Sequence, residues 1–299
     1  MVKINPLMRL SCEKSIKLAK AINPPLVVIP LYDFICNSTA KPNGLFKKIK
    51  EAEGIHKYFD YNGLVILSTI MRDDLIKKFI LPEQYEEIIN GLCPDYYFTP
   101  DGETYEKREN KSLREIIRLI SITPQIIKLC QNSKPIGLVK GCNRSQILFH
   151  KNFLNKLGIK IFAFHTGDFF KNGDKNMIQR AKLYCSLIKE KDNFLILYGL
   201  GAPSRMLEFS FSDMFITYNH FVNAKHKKIF INKKKIKLFK DSLQKDFVYR
   251  AALYNFKELS KYVSDLKYQT KLIGGKHKWV GDKQDQKLQP IIKSQKVQN

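Results

Sequence analysis

The feature that most constrains the fold is an alternation of short apolar runs with longer amphipathic segments. Each run has the length and the β-branched or aromatic content of a buried parallel strand. The runs are LVVIP (26–30), GLVILST (63–69), DYYFT (95–99), PIGLVKG (135–141), KIFAFHT (160–166), FLILYGL (194–200) and DMFIT (213–217). The alternation predicts βαβ units. About seven strands favour a closed (β/α)8 TIM-type barrel over an open doubly wound sheet, which has the same local pattern.

The charge of the chain points to a polyanionic partner. Fifty-two Lys and Arg residues face 28 Asp and Glu residues, which gives a formal net charge of +24. Solubility alone requires only a few charges, so nucleic-acid contact is the natural interpretation. The alternative is that a composition rich in Lys and Ile reflects AT-rich coding.

Basic residues concentrate in one segment, which we call the lysine ribbon (223–240). It contains eight lysines and no acidic residue, interleaved with Ile, Phe and Leu. The ammonium groups of such a segment can contact successive phosphates while its apolar side packs against the protein. A strand with a solvated face would have the same composition. The predicted nucleic-acid-binding residues are Lys225, Lys227, Lys228, Lys233, Lys234 and Lys235. We expect one catalytic domain over residues 1–272, followed by a basic, flexible tail over 273–299.

The cysteines do not form a metal motif. Six cysteines are scattered along the chain, without a C-x-x-C pair or a histidine at ligand spacing. They are Cys12, Cys36, Cys93, Cys130, Cys142 and Cys185. We therefore predict neither a metal nor a cofactor. The charged N-terminus and the lack of a long apolar stretch predict a cytoplasmic protein without a membrane partner.

In a barrel of this type, the active site lies at the carboxyl ends of the strands, which we call the mouth. Polar residues just after each apolar run are therefore the candidates, and Asp60, just before one, is included with them. The list is Asp60, Asp101, Lys140, Asn143, His165, Asp168, Gly199, Gly201 and Asp213. Four carboxylates at one mouth would raise some of their pKa values, as acid–base chemistry requires. Each also has a structural interpretation, since Asp60 and Asp101 suit turns, Asp168 suits a helix cap and Asp213 could cap a strand.

Three segments, which begin at Phe59, Pro135 and Tyr198, together resemble the tRNA-guanine transglycosylases. YGLGAPSRMLEF followed by SDMF is similar to that family's Gly-x-Gly-(Thr/Ser/Ala)-Pro, Leu-Leu and Asp-Met-Phe stretch. PIGLVKGCNRSQILFHKNFLNKLGIKIFAFHTGDFF resembles its strand–Gln-Gly-Gly–helix segment, and FDYNGLVILST resembles its Asp-Ser-Gly-Gly-Phe-Gln. The resemblance covers roughly residues 55–230. The compact chain, without the family's zinc motif and RNA-binding extensions, is most like the phage-type branch that modifies DNA.

The resemblance implies replacement of guanine in nucleic acid by a free 7-deazaguanine base, through a covalent bond between an aspartate and C1′ of the sugar. By the same resemblance, Asp60 matches the general acid/base and Asp101 the aspartate that reads the base. Further substrate-binding positions implied are Lys140, Gly141, His165, Gly167, Asp168, Gly199 and Gly201. DNA is the expected substrate, with tRNA less favoured.

One departure from the family concerns the nucleophile. The family reads Asp-x-Phe-Asp, with the second aspartate attacking, whereas a gapless match gives Asp213-Met214-Phe215-Ile216 here. Either Asp213 is the nucleophile in a shifted register, which we favour, or the chain is a non-catalytic nucleic-acid-binding relative. A third possibility, an unrelated barrel acting on a small phosphorylated substrate, is disfavoured because APSRM replaces a Gly-rich phosphate cradle after the strand FLILYGL.

Overall fold

Eight parallel strands form the centre of the molecule. The computed structural model describes residues 3–6, 16, 20–105, 108–170, 174–226, 228–231, 234–237 and 247–272. The parallel strands are β1 (Lys3–Pro6), β2 (Leu26–Pro30), β3 (Leu64–Ser68), β4 (Tyr96–Phe98), β5 (Lys134–Leu138), β6 (Ile161–His165), β7 (Phe194–Tyr198) and β8 (Met214–Thr217). All seven predicted apolar runs therefore contain a strand, and β1 is an eighth that the sequence analysis did not identify.

The strands follow one another in the order β1-β8-β7-β6-β5-β4-β3-β2, and every paired neighbour is parallel. The two ends of this order, β1 and β2, also contact each other, so that the sheet curls into a nearly closed barrel. The predicted (β/α)8 TIM-type barrel is confirmed.

Helices connect the strands and cover the outside of the barrel. They are α1 (Gly44–Glu51), α2 (Ile55–Phe59), α3 (Asp73–Ile76), α4 (Pro82–Leu92), α5 (Glu109–Leu129), α6 (Arg144–Lys156), α7 (Lys175–Ile188), α8 (Pro203–Glu208), α9 (Asn219–Lys225) and α10 (Phe247–Leu272). Side chains of Asn43, Asn143 and Asp174 accept hydrogen bonds from the first backbone N–H groups of α1, α6 and α7. These residues fix where the helices begin, because the first-turn N–H groups have no partner within a helix.

The alternation of side chains along the strands separates two kinds of core. One set of residues, including Val28, Phe98, Leu138 and Ile196, fills the inside of the barrel. The residues between them pack outward against the helices in two further clusters. Because side chains alternate faces along a strand, the residues that extend the inner set beyond each strand point into the mouth.

Within the lysine ribbon, β9 (Lys228–Ile231) and β10 (Lys234–Lys237) pair antiparallel, and we call this pair of strands the hairpin. Asn255 of α10 is fully buried; its side-chain oxygen accepts from the Phe230 N–H, and its amide donates to the carbonyls of Lys228 and His220. His220 lies at the start of α9, three residues after β8. Asn255 thus fastens the hairpin beside the mouth end of β8. The predicted tail, 273–299, lies outside the described residues.

None of the described helices has both the length and the apolar character required to cross a membrane.

Candidate functional site

An ion pair between Asp101 and Lys140 lies at the mouth. Asp101 comes shortly after β4 and Lys140 shortly after β5, and Lys140 Nζ is 2.8 Å from Asp101 Oδ1. Only 13% of the lysine side chain and 4% of the aspartate side chain are exposed. Ile136 and Leu138 belong to the inner core, so Lys140 continues the face of β5 that points into the barrel.

Backbone groups hold both members of this pair. Asp101 Oδ2 accepts from the Met71 N–H at 3.2 Å, and Oδ1 accepts from the Gly102 N–H at 2.8 Å. The Lys140 N–H donates to His150 Nδ1 at 3.0 Å. Burial lowers the pKa of His150 to about 4, so its imidazole is neutral at pH 7 and Nδ1 is free to accept. His150 is therefore a positioning residue for Lys140, and the sequence analysis missed it.

His165 and Tyr198 form the neighbouring wall of the mouth. They are the last residues of β6 and β7, lie opposite each other in the ladder, and have ring centroids 5.6 Å apart. Two predicted glycines lie beside the imidazole. A Cβ on Gly167 would lie 2.7 Å from His165 Nε2, so glycine leaves space for the ring. Gly199 has a φ of +91°, a backbone conformation that favours glycine. Larger residues at these two positions would displace the His165 ring or strain the chain.

The other residues predicted to lie at the mouth either make contacts that stabilise the fold or are exposed. Gly141 is buried against the first turn of α6, and Asn143 caps that helix. The Gly201 carbonyl accepts a hydrogen bond from the Asn219 amide at 2.6 Å. Asp168 is exposed in the short 3-10 turn Gly167–Phe170 that follows β6.

Glu103 is a nearly buried carboxylate near the mouth that the sequence analysis did not identify. It lies between the ammonium groups of Lys111 and Lys77, which form ion pairs with it. The hydrogen bond from Lys111, with a further contribution from Lys77, lowers the pKa of Glu103 although burial opposes this. The negative charge of Glu103 is thus neutralised locally, and the two lysines leave a net positive charge at this edge of the mouth.

Asp213 lies at the opposite end of the barrel from the mouth. It immediately precedes β8, and its Oδ2 accepts from the Leu195 N–H of β7 and from Lys189 Nζ, both at 2.7 Å. Asp95 does the same before β4, where its Oδ2 accepts from the Val65 N–H at 2.7 Å. Both aspartates satisfy the backbone of a neighbouring strand at the amino-terminal edge of the sheet.

Asp60 also lies at the amino-terminal end. It follows α2 with a left-handed backbone, φ +49°, and precedes β3, and its side chain is exposed. A five-residue strand spans roughly 16 Å, which separates Asp60 from the mouth. The expectation that Asp60 and Asp213 face the mouth together with Asp101 and Asp168 is therefore wrong, and their predicted catalytic roles have no support from this placement.

Ile216 is fully buried inside the barrel at the level of the mouth. It pairs with Tyr198 at the end of β7, and its carbonyl accepts from the Gly199 N–H. Moving Asp213 to this level would require a shift of three residues, about 10 Å along the strand. The register of β7 with β8 therefore places Ile216, and not Asp213, at the level of the mouth.

The predicted phosphate-binding lysines lie on and beside the hairpin. Lys225 is exposed at the end of α9, Lys228 is half-buried at the start of β9, and Lys234 and Lys235 lie in β10. Lys227 and Lys233 lie outside the described residues. Phe230 packs inward, as an alternating basic and apolar segment predicts.

An open groove of about 460 Å³ lies on the outer surface, away from the mouth. Glutamates of α4, Lys50 and Glu53 line it. Within the described part of the chain, no group of three or more His, Cys, Asp or Glu side chains is placed to hold a metal ion.

Comparison with known proteins adds no relative: no protein-family model matches the chain, and no curated protein is similar to it in sequence. The likeness to the transglycosylases therefore rests on the three quoted segments and on the barrel that carries them.

Proposed function

We propose that this protein is a nucleic-acid-binding (β/α)8 barrel, with DNA as the favoured partner, that does not exchange bases through Asp213 and Asp60. The observation that carries the proposal is the lysine hairpin, which Asn255 fastens beside the mouth. A strand of nucleic acid bound along the hairpin would pass the carboxyl ends of the barrel strands.

Electrostatics supports binding to a polyanion. The formal net charge is +24, and the ribbon contributes eight positive charges within 18 residues without an acidic residue. Lysines that neutralise phosphates release condensed counterions, so such binding is strong at low salt and weakens steeply as salt rises. Ammonium groups on a hairpin suit this role because phosphate contacts need positive charge and not a particular base.

Three placements disfavour aspartate-based exchange. Ile216 occupies the position that corresponds to the attacking aspartate of the resembled family. Asp213 instead caps β7 at the other end of the barrel. Asp101 already accepts from Met71, Gly102 and Lys140, so most of the roughly four lone-pair positions of its carboxylate are occupied. An isoleucine cannot form a glycosyl bond.

One experiment separates binding from exchange. The protein is incubated with duplex DNA, or with tRNA, together with labelled guanine or a 7-deazaguanine, and DNA affinity is measured in parallel. We expect salt-dependent binding without incorporation of label. Incorporation that Asp213→Asn abolishes would overturn the proposal in favour of the transglycosylase predicted from the resemblance. Absence of binding at low salt would overturn both.

A further inference from the structure

The Asp101–Lys140 pair is poorly explained as a stabilising contact. Removing two charges from water costs several kcal/mol per ion, and the attraction between them often does no more than compensate for this cost. Here both partners are nearly buried, and both are held by other groups: His150 holds the Lys140 backbone, and Met71 and Gly102 hold the carboxylate. Arg118 Nη2 additionally donates to the Asp101 carbonyl at 3.2 Å.

The pair also occupies a position suited to chemistry. Lys140 is the one lysine among the described residues that directly follow the barrel strands at the mouth, and it points into the barrel. A carboxylate at 2.8 Å can receive the proton that an ammonium group must lose before its nitrogen becomes a nucleophile. A free lysine amine forms Schiff bases with carbonyl compounds.

The proposed nucleic-acid partner limits which carbonyl compound reaches this amine. Intact nucleotides carry no free aldehyde, whereas a deoxyribose that has lost its base exposes an aldehyde at C1′ when its ring opens. Space at the mouth is limited, since Asp101 is only 3% and Tyr198 only 7% exposed. A sugar without a base would require less space there than a complete extruded nucleotide. Both arguments favour the base-free sugar.

We propose that Lys140 forms a Schiff base with C1′ of a base-free deoxyribose in DNA, an inference that rests on the proposed nucleic-acid binding. The Lys140 ammonium gives a proton to Asp101, and the free amine attacks the aldehyde carbon, forming the C–N bond as the carbonyl electrons move to oxygen. Asp101 returns the proton to that oxygen. Proton transfer from nitrogen through Asp101 then lets the hydroxyl leave as water, so the products are one iminium ion and one water molecule.

Borohydride trapping tests this proposal. Borohydride adds hydride to an iminium carbon and leaves a stable secondary amine between protein and DNA. The full-length protein is incubated with borohydride and an oligonucleotide duplex that contains one abasic site. The control duplex carries a tetrahydrofuran analogue, which has no aldehyde. We expect a denaturation-resistant adduct with the abasic duplex alone, and peptide mapping should place the adduct on Lys140.

Two conservative variants make the test specific. Lys140→Arg keeps a cation beside Asp101 but cannot form an imine, so the adduct yield should fall at least tenfold. Lys189→Arg changes the similarly spaced pair with Asp213, 2.7 Å apart at the opposite end of the barrel, and should trap as the wild type does. Thermal unfolding checks that both variants fold. Equal trapping by Lys140→Arg, or adducts mapped to the hairpin lysines, would overturn the proposal.

Binding to an intact duplex, measured without borohydride, distinguishes failure of this inference from failure of the proposed function. Binding without any adduct on abasic DNA would overturn the role of Lys140 and leave nucleic-acid binding in place. An adduct on Lys140 without affinity for intact DNA would support the Schiff base and overturn the proposed binding function.

Discussion

Two lysine–aspartate ion pairs with similar N–O distances lie at opposite ends of the barrel, and their surroundings differ. Lys140–Asp101 is nearly buried and lies among side chains that point into the mouth. Lys189–Asp213 is more exposed, and the same carboxylate accepts the Leu195 N–H. The first pair lies where we propose that a ligand binds, whereas the second satisfies backbone groups at the amino-terminal edge of the sheet.

At this scale, Asp213→Asn tests the structural role. An amide oxygen can still accept one hydrogen bond, but the negative charge that attracts Lys189 is lost. We expect a decrease of about 1 to 3 kcal/mol in the free energy of unfolding, measured by urea denaturation, with DNA affinity unchanged. Asp95→Asn, which alters the equivalent cap on Val65, is the matched control and should behave similarly. Wild-type stability combined with loss of a base-exchange activity would return Asp213 to a catalytic role.

Among the structural elements, the hairpin is held by a buried side chain of α10. Asn255 bonds to the backbone of β9 and to the carbonyl of His220. Because α10 packs against α9, β9 and β1, it connects the hairpin to the wall of the barrel. The position of the lysines therefore follows from the position of α10.

Asn255→Ala should loosen this element while leaving the barrel folded. The substitution leaves the Phe230 N–H and two carbonyls without their partner, at a cost of about 1 to 3 kcal/mol for each buried group that stays unpaired. We expect faster proteolysis within β9 and β10 and weaker DNA binding, with circular dichroism close to that of the wild type. Asn152→Ala, on the exposed face of α6, is the control. Unchanged proteolysis would show that other contacts hold the hairpin.

The local pattern was sufficient to predict seven of the eight barrel strands, but residues beside those strands were assigned to the wrong end of the barrel. The seven predicted strands are apolar over their length because helices cover one face and the barrel interior the other. β1 was missed because it is four residues long and contains a lysine and a proline. Asp101 and Asp213 are the same type of residue and lie beside similar apolar runs, but Asp101 follows its strand and Asp213 precedes its strand. Because the barrel strands are parallel, a residue that follows a strand lies at the mouth and one that precedes a strand lies at the opposite end. The order along the chain therefore separates Asp101 from Asp213 once the limits of the strands are known.

Across the whole molecule, two buried histidines link stability to pH. Burial lowers the pKa of His150 to about 4 and that of His220 to about 3. A histidine in an unfolded chain has a pKa near 6.5. The unfolded state therefore binds these protons first as the pH falls, and the folded state loses stability below about pH 6.5. Above that value, neither group contributes to the pH dependence.

Urea denaturation between pH 7.5 and pH 5 measures this linkage, in a range where carboxylates are still largely ionised. We expect a constant free energy of unfolding above about pH 6.5 and, below it, a decrease that approaches about 1.4 kcal/mol per pH unit for each histidine. His220→Leu should remove about half of that slope, since His220 Nδ1 has no hydrogen-bond partner to lose. A wild-type stability that is flat down to pH 5 would contradict the neutral, buried state of both rings.

The salt dependence of DNA affinity tests the central claim most directly. Replacing Lys225, Lys228 and Lys234 by Gln removes three charges on and beside the hairpin, and replacing Lys47, Lys48 and Lys50 by Gln removes three charges from the exposed face of α1. Each phosphate contact contributes about 0.9 to the slope of log K against log salt concentration. The account predicts that the hairpin variant loses about two to three units of slope and the α1 variant almost none. Equal slopes for the two variants and the wild type would contradict DNA binding along the hairpin.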